Sequence, residues 1–93
     1  MSIEEFRNND AGYLAWLAAN RAGYVLNIQR DHNARDARLH RAACRTINGV
    51  PARGRTWTGG PYIKVCALDQ STLATWNSEQ TGGPITPCGH CRP

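Results

Sequence analysis

His40-Arg41-Ala42-Ala43-Cys44, near the middle of the chain, and Cys88-Gly89-His90-Cys91, near its end, decide how this sequence folds. The first stretch is an H-x3-C pair and the second is a C-x2-C pair, and four ligands of these types complete a tetrahedral zinc site. Two thiolates separated by two residues chelate from a tight knuckle, and Gly89 permits the bend. The spacing therefore predicts one structural zinc ion bound by His40, Cys44, Cys88 and Cys91.

Two further residues compete for these ligand positions. His90 lies inside the knuckle, where its side chain would point away from the ion. Cys66 lies in an apolar stretch of strand composition and shares a strand face with Lys64. It would replace His40 in an all-thiolate site, or it is a small buried core residue. In either case four protein ligands leave no position for water, so the metal would stabilise the fold and not catalyse a reaction.

The size of the chain explains why such a staple is useful. The 93 residues are enough for one domain (1–93), 41% of them are hydrophobic, and a domain this small buries a modest fraction of its surface. No apolar run is long enough to span a membrane, and the first residues lack the basic and apolar regions of a signal peptide. We therefore expect a cytoplasmic protein, in which thiols stay reduced and serve as metal ligands before disulfides.

Apolar periodicity and turn residues predict an α+β fold with a three-stranded antiparallel sheet. We expect a flexible N-terminus over 1–9, and a first helix that Asp10 caps and Gly23 ends in a left-handed conformation. Asp69 would cap a second, short helix. In chain order, the predicted elements are a helix at 10–21, strands at 24–28, 37–40 and 62–67, and a helix at 70–77.

Basic residues cluster around the first ligand pair. The net charge is +4, but residues 30–55 hold seven Arg against two Asp, and the only Lys is Lys64. Arg suits bidentate contacts to phosphate or to guanine. A GC-rich genome would also favour Arg over Lys, although it would not explain the clustering.

The chain resembles a known zinc module in two places. His40-Arg41-Ala42-Ala43-Cys44-Arg45-Thr46 and Pro87-Cys88-Gly89-His90-Cys91-Arg92-Pro93 are similar to the metal-binding module of the Ada DNA-repair family, and to related His-first modules often attached to nucleases. The resemblance covers residues 38–93, with 10–37 contributing the first helix and hairpin strand, and it departs in the Gly- and Arg-rich loop at 48–61. It implies a compact zinc-stapled domain with a surface for DNA.

Ada's methyl-transfer chemistry does not carry over with that resemblance. In Ada the methyl acceptor is a zinc-bound thiolate at the first position of the upstream pair, and His40 stands there in this chain. An imidazole is a far poorer methyl acceptor than a zinc thiolate. A weaker resemblance links Gly23-Tyr24-Val25-Leu26-Asn27 to leader regions of some actinobacterial endonucleases.

Nucleic-acid binding is the function that these features favour, with DNA preferred through the resemblance. A Gly-rich loop lets the backbone approach phosphates, and Trp57 could stack on a base. Trp57 covering the core and solvated Arg side chains would be the ordinary alternatives. The predicted contacts are Arg41, Arg45, Arg53, Arg55, Trp57 and Lys64.

Two other functions compete with this one. A protein-interaction adaptor could present Tyr13 and Trp16 on the face of the first helix. An enzyme is disfavoured because the sequence shows no paired carboxylates at useful spacing and no HNH or GIY-YIG nuclease core. If the chain serves a restriction or repair nuclease, the cleaving domain would lie on another polypeptide or in a larger protein of which this is a fragment.

Overall fold

A computed structural model describes residues 3–33, 37–49 and 56–93, and it has the predicted α+β class. No helix within those ranges is long and apolar enough to cross a membrane. A short 3-10 turn at Arg45–Ile47 follows the third strand. In chain order, the elements are β1 (Glu4–Phe6), α1 (Asp10–Ala19), β2 (Tyr24–Gln29), β3 (Arg38–Arg41), β4 (Tyr62–Ala67), α2 (Gln70–Gln80) and β5 (Thr86–Pro87).

The sheet has five strands in the order β1-β4-β2-β3-β5, so the prediction of three strands was wrong in number. Its antiparallel centre, β4-β2-β3, is the predicted sheet. Strand β1 adds an antiparallel edge beside β4, where the sequence suggested a flexible segment, and β5 adds a parallel edge beside β3. Edge strands of three and two residues are too short to show an alternating pattern in the sequence, although Phe6 of β1 packs against the core under α1.

Residues alternate between the two faces of the sheet, and each face carries its own helix. The face under α2 is aliphatic and consists of Leu26, Ile28, Ala37, Leu39, Ile63, Val65, Ala67 and Leu73. The face under α1 is more polarisable, with Tyr13, Leu17, Val25, Ala42, Cys44, Ile47, Cys66 and Cys88. The candidate metal ligands lie at the border of this second cluster.

Helix α1 begins and ends differently from its prediction. Asn9, and not Asp10, is the N-cap, and its side chain accepts a hydrogen bond from the Gly12 N–H at 2.9 Å. The helix ends at Ala19 with Asn20 as its C-cap, and Gly23 does not adopt the predicted left-handed conformation. Glycine is required at position 23 for close approach, since a Cβ there would lie 2.7 Å from the Trp16 ring.

Helix α2 is capped by Asp69, as predicted, through a 2.8 Å hydrogen bond from the Thr72 N–H. It runs one turn beyond the predicted end. Asn77, the last residue of the predicted range, is 2% exposed and donates to the Gly83 carbonyl at 2.8 Å. An asparagine in a helix is usually predicted to face solvent, but the buried Asn77 amide instead holds the turn that follows the helix.

Candidate metal centre and its surroundings

Strand pairing brings the two predicted half-sites together. Because β5 lies parallel to β3, the Cys88 N–H donates to the Leu39 carbonyl at 2.8 Å, which places Cys88 beside His40. A tight turn after β3 returns Cys44 to the same point, with its N–H donating to the Arg41 carbonyl at 2.9 Å. Residues almost fifty positions apart in the chain therefore meet at one edge of the sheet.

The four predicted ligands form one cluster that could bind a metal ion. The ligand atoms of His40, Cys44, Cys88 and Cys91 all lie within 4.8 Å of one another. About 3.8 Å separates two sulfurs around a tetrahedral zinc, given Zn–S bonds of about 2.3 Å. All four cysteines of the chain are free thiols. Cys66 does not belong to the cluster, so the alternative all-thiolate set is not the one that the fold assembles.

The state of His40 fits a ligand role. Its Nδ1 atom is buried and has no hydrogen-bond partner in the described part of the chain. A buried polar atom without a partner is costly, and coordination would satisfy it. Burial lowers the pKa of His40 to about 4, and the charges of Lys64, Arg38 and His90 act in the same direction. The imidazole is therefore neutral at pH 7, as metal binding requires.

Backbone donors surround the sulfur atoms. The Arg41 N–H donates to Cys91 Sγ at 3.2 Å, and the His90 N–H donates to Cys88 Sγ at 3.3 Å. Burial by itself would raise the pKa of the Cys88 thiol, but the N–H groups of Cys91 and His90 bring it below its ordinary value. Burial raises the pKa of Cys91 to about 11, with the Cys44 and Cys88 sulfurs acting in the same direction. A bound cation would deprotonate these thiols outright.

Arg41 braces the knuckle. Its guanidinium donates to the Cys91 carbonyl and to the Arg92 carbonyl, each at 3.1 Å. Two of its donors are thus used inside the protein, although the residue itself is exposed. Its predicted contact with nucleic acid stays a prediction. In the structure the side chain also stabilises the knuckle through these two hydrogen bonds.

The other predicted nucleic-acid contacts lie in different environments. Arg45 is exposed beside Cys44, and no acceptor for its side chain occurs among the described residues. Trp57 is half-buried, and its indole N–H donates to the Gly49 carbonyl at 2.9 Å. Arg53 and Arg55 lie outside the ranges that the structure describes.

Lys64 is the least surface-like of the predicted contacts, with 4% of the residue exposed. Its ammonium donates to Asn27 Oδ1 at 2.7 Å and to the Trp57 carbonyl at 2.8 Å. Burial lowers the pKa of Lys64 to about 8, while the negative charge of Asp10 opposes that shift. A side chain held in this way could meet a ligand that enters the fold, but not one that stays on the surface.

The helix face suggested for a protein partner belongs mostly to the core. Tyr13 is fully buried, and its hydroxyl donates to the Ile47 carbonyl at 2.6 Å. Trp16 is partly buried and packs against the same cluster. The two aromatic side chains therefore support α1 on the sheet and do not form a free docking face.

Two features of this region escaped the sequence analysis. The Asp10 carboxylate accepts hydrogen bonds from Thr58 and Thr56 side chains and from the N–H groups of Trp57 and Thr58, all at 2.6 to 2.8 Å. Asn27, a polar residue in the apolar stretch Tyr24–Gln29, lies in register with both Arg38 and Lys64. The position of Asn27 within an apolar strand was the available signal.

Charge is distributed unevenly over the molecule. Residues 37–68 contain six basic residues and no acidic one. The described members of that set are Arg38, Arg41, Arg45 and Lys64. The described acidic residues lie on β1, at the start of α1, after β2 and at the two ends of α2, namely Glu4, Glu5, Asp10, Asp31, Asp69 and Glu79. The β3–β5 edge of the sheet is thus basic, whereas β1 carries two carboxylates.

Comparisons with known proteins do not identify this chain. No family model, curated protein or solved structure matches it. The family resemblance seen in the sequence therefore stays a prediction.

Proposed function

We propose that the chain is a non-catalytic, zinc-stapled module that binds nucleic acid, preferentially DNA, through its basic β3–β5 edge. Zinc is the metal that the ligand set favours, because one imidazole and three thiolates match its preference for nitrogen and sulfur ligands in tetrahedral geometry. The buried, unpartnered Nδ1 atom of His40 supports the same ligand set. Four protein ligands would close the coordination sphere, so the ion would hold the fold and leave no site for a reacting water.

The observation that carries the binding proposal is the run of basic residues in the sequence that begins at the first ligand pair, with Arg38, Arg41 and Arg45 exposed on and after β3. Six basic residues and no acidic residue occur between positions 37 and 68, and Arg45 stands exposed next to a ligand. Cationic side chains that release counterions from phosphates supply most of the affinity of non-specific nucleic-acid binding. The preference for DNA, and a link to a restriction or repair nuclease, rest on the resemblance to the Ada family alone.

The first test is metal content followed by a binding titration. We expect one zinc ion per chain by native mass spectrometry. Labelled duplex DNA and single-stranded DNA of the same sequence should bind, and the affinity should fall steeply as salt is raised, by about 0.9 log units in K per log unit of salt for each phosphate contact. If neither the duplex nor the single-stranded DNA binds at low salt, the proposal is contradicted and a protein-interaction adaptor is favoured.

A matched pair of variants locates the surface. Arg45→Gln removes an exposed charge at the basic edge, whereas Arg7→Gln removes one from the segment after β1, at the opposite edge. Arg45→Gln should lower the salt slope by about one, the share of one phosphate contact, and Arg7→Gln should leave the slope unchanged. Equal effects of the two substitutions would show that net charge, and not this edge, governs binding.

A further inference from the structure

A cavity of about 580 Å³ lies next to the metal cluster. It opens on the same face of the sheet as α1, over the part of that face that the helix does not cover. The strands contribute its floor and the chain around Trp57 contributes a wall. Its volume lies in the range of about 300 to 1,000 Å³ that small-molecule sites occupy. The side chains that matter for recognition are Asn27, Arg38, His40, Trp57, Tyr62 and Lys64.

The floor of this cavity is a row of three polar side chains. Asn27 in β2 is paired in register with Arg38 in β3 and with Lys64 in β4, so the three project from the same sheet face. Adjacent strands lie about 4.8 Å apart, which puts the backbones of the two cationic residues about 10 Å apart with the amide between them. Asn27 Oδ1 accepts from Lys64 at 2.7 Å, so the Asn27 amide N–H groups remain to donate.

The electrostatics of the cavity suit an anion. The described lining residues include no Asp or Glu. The Lys64 ammonium has two acceptors among the described residues, which leaves one of its three N–H donors without one. Arg38 is exposed, and no described residue accepts from its guanidinium. Neither cation has a carboxylate within hydrogen-bond distance among the described residues, and the buried one, Lys64, has only the more distant charge of Asp10. A negatively charged ligand would therefore stabilise both.

The aromatic walls of the cavity suit a planar, partly apolar ligand. Trp57 and Tyr62 line the cavity, and Trp57 is fixed in place by its indole hydrogen bond to the Gly49 carbonyl and by an edge contact with Tyr13, ring centroids 6.3 Å apart. Aromatic walls favour planar heterocycles, and the neighbouring amide and ammonium donors match ring nitrogen and carbonyl acceptors. Phosphate at one end and an aromatic heterocycle at the other is the chemistry of a nucleotide.

We propose that this cavity binds one nucleoside monophosphate unit, with its phosphate at Arg38 and its base against the aromatic wall that Trp57 and Tyr62 form. The unit would be either a free nucleotide or a single unpaired residue of a strand held at the basic edge. In the second case the inference rests on the proposed function, because the strand must first dock there.

The test follows the Trp57 indole N–H by NMR in zinc-loaded protein. Free deoxynucleoside monophosphates, the corresponding nucleosides and inorganic phosphate are titrated in separate samples, and a single-stranded oligonucleotide and a duplex in two more. We expect the Trp57 resonance to shift with the monophosphates or with the single strand, and the nucleosides to bind about tenfold more weakly than the monophosphates, since they lack the charge-assisted phosphate contact.

Two variants keep the result interpretable. Arg38→Gln removes the exposed cation without touching the core and should weaken binding about tenfold. Asn27→Asp is isosteric and adds a carboxylate beside Lys64, which should abolish binding of the anion while the fold and metal content are retained. Arg7→Gln serves as the matched control and should leave the titration unchanged, because the Arg7 side chain contacts Glu5 and His32 and neither of them lines the cavity.

The outcomes separate this inference from the proposed function. If strands bind at the basic edge but neither they nor the free nucleotides shift the Trp57 resonance, the cavity proposal fails and the surface proposal stands. If monophosphates shift Trp57 but no strand binds, the cavity holds and its ligand is a free nucleotide. Equal losses from Arg38→Gln and Arg7→Gln would also overturn the cavity proposal.

Discussion

The two faces of the sheet are closed by different physical means. The face under α2 is covered by aliphatic side chains, which are stable there because they leave water. The face under α1 carries Cys44 and Cys88 in its core and ends at a cluster of one imidazole and three thiols within 4.8 Å. Burial is sufficient for the first face, whereas the second leaves the His40 Nδ1 atom without a partner among the described residues, and a bound cation would satisfy it.

The difference shows that the two sides of the sheet constrain the sequence of this 93-residue chain to different degrees. One side of the sheet needs only alternating apolar residues, and many sequences would serve. The other side commits four specific residues to a cluster that could bind a metal ion, and Arg38, Asn27 and Lys64 occupy sheet positions there that a purely hydrophobic core would need. The metal would thus compensate for a polar cavity beside it.

The largest expected effect comes from breaking the coordinated face. Cys88→Ser should unfold the protein or most of it, because zinc contributes on the order of 10 kcal/mol to small zinc modules and the whole stability of a domain is about 5 to 15 kcal/mol. Circular dichroism and metal content measure the effect, and a chelator should reproduce it in the parent protein.

Cys66→Ala is the matched control for that substitution. Cys66 is as buried as the ligands but lies outside the cluster. The variant should keep one metal ion and lose only about 1 kcal/mol, the cost of a small deletion in the core. A Cys88→Ser protein that keeps the parent's metal content and melting temperature would show that the ligand set is wrong.

A smaller effect is expected from the aliphatic face. Leu73→Ala truncates a fully buried side chain and should lower the free energy of unfolding by about 2 to 5 kcal/mol. The metal stoichiometry of the folded protein should not change, since the cluster lies on the other face. Urea unfolding of the zinc-loaded protein measures the loss.

Leu68, an exposed leucine between β4 and α2, is the matched control for Leu73. It is 67% exposed, so Leu68→Ala should change stability by no more than about 0.5 kcal/mol. If Leu73→Ala released the metal as well, the two faces would not be separate, and the comparison drawn above would fail.

Apart from the control variants, the smallest expected effect concerns the Asp10 carboxylate, which joins α1 to the loop at 56–58. Burial by itself would raise the pKa of Asp10, but hydrogen bonds from Thr58, Trp57 and Thr56 lower it to about 2. Asp10→Asn removes the charge that these donors stabilise and should cost about 1 to 3 kcal/mol at pH 7.

The pH dependence of that difference has a definite sign. Because the folded pKa lies below the ordinary value of 3.8, the carboxylate stabilises the fold above about pH 4 and loses this contribution as the pH falls towards 2. The stability difference between the parent and Asp10→Asn should therefore be constant from pH 8 to pH 5. A difference that already shrinks between pH 7 and pH 6 would assign the effect to another group.

Several elements could be predicted from the local sequence because interactions between residues close in the chain stabilise them. The strand at Tyr62–Ala67 and the Asp69 cap were predicted from β-branched composition and from a side chain that accepts a nearby N–H. The ligand set was readable for a similar reason, since H-x3-C and C-x2-C spacings are chelating whatever surrounds them. The cap of α1 was missed by one residue, because Asp10 is recruited by a loop almost fifty positions away.

What the sequence alone determined was the class of the fold, its central strands and the four residues that could hold a metal ion, because periodicity and chelating spacing are local properties. Only the tertiary structure decided the two edge strands, the burial of Lys64 and the cavity beside His40. These depend on backbone pairing between distant segments and on which side chains remain uncovered once the helices have packed. No short window of sequence contains that information.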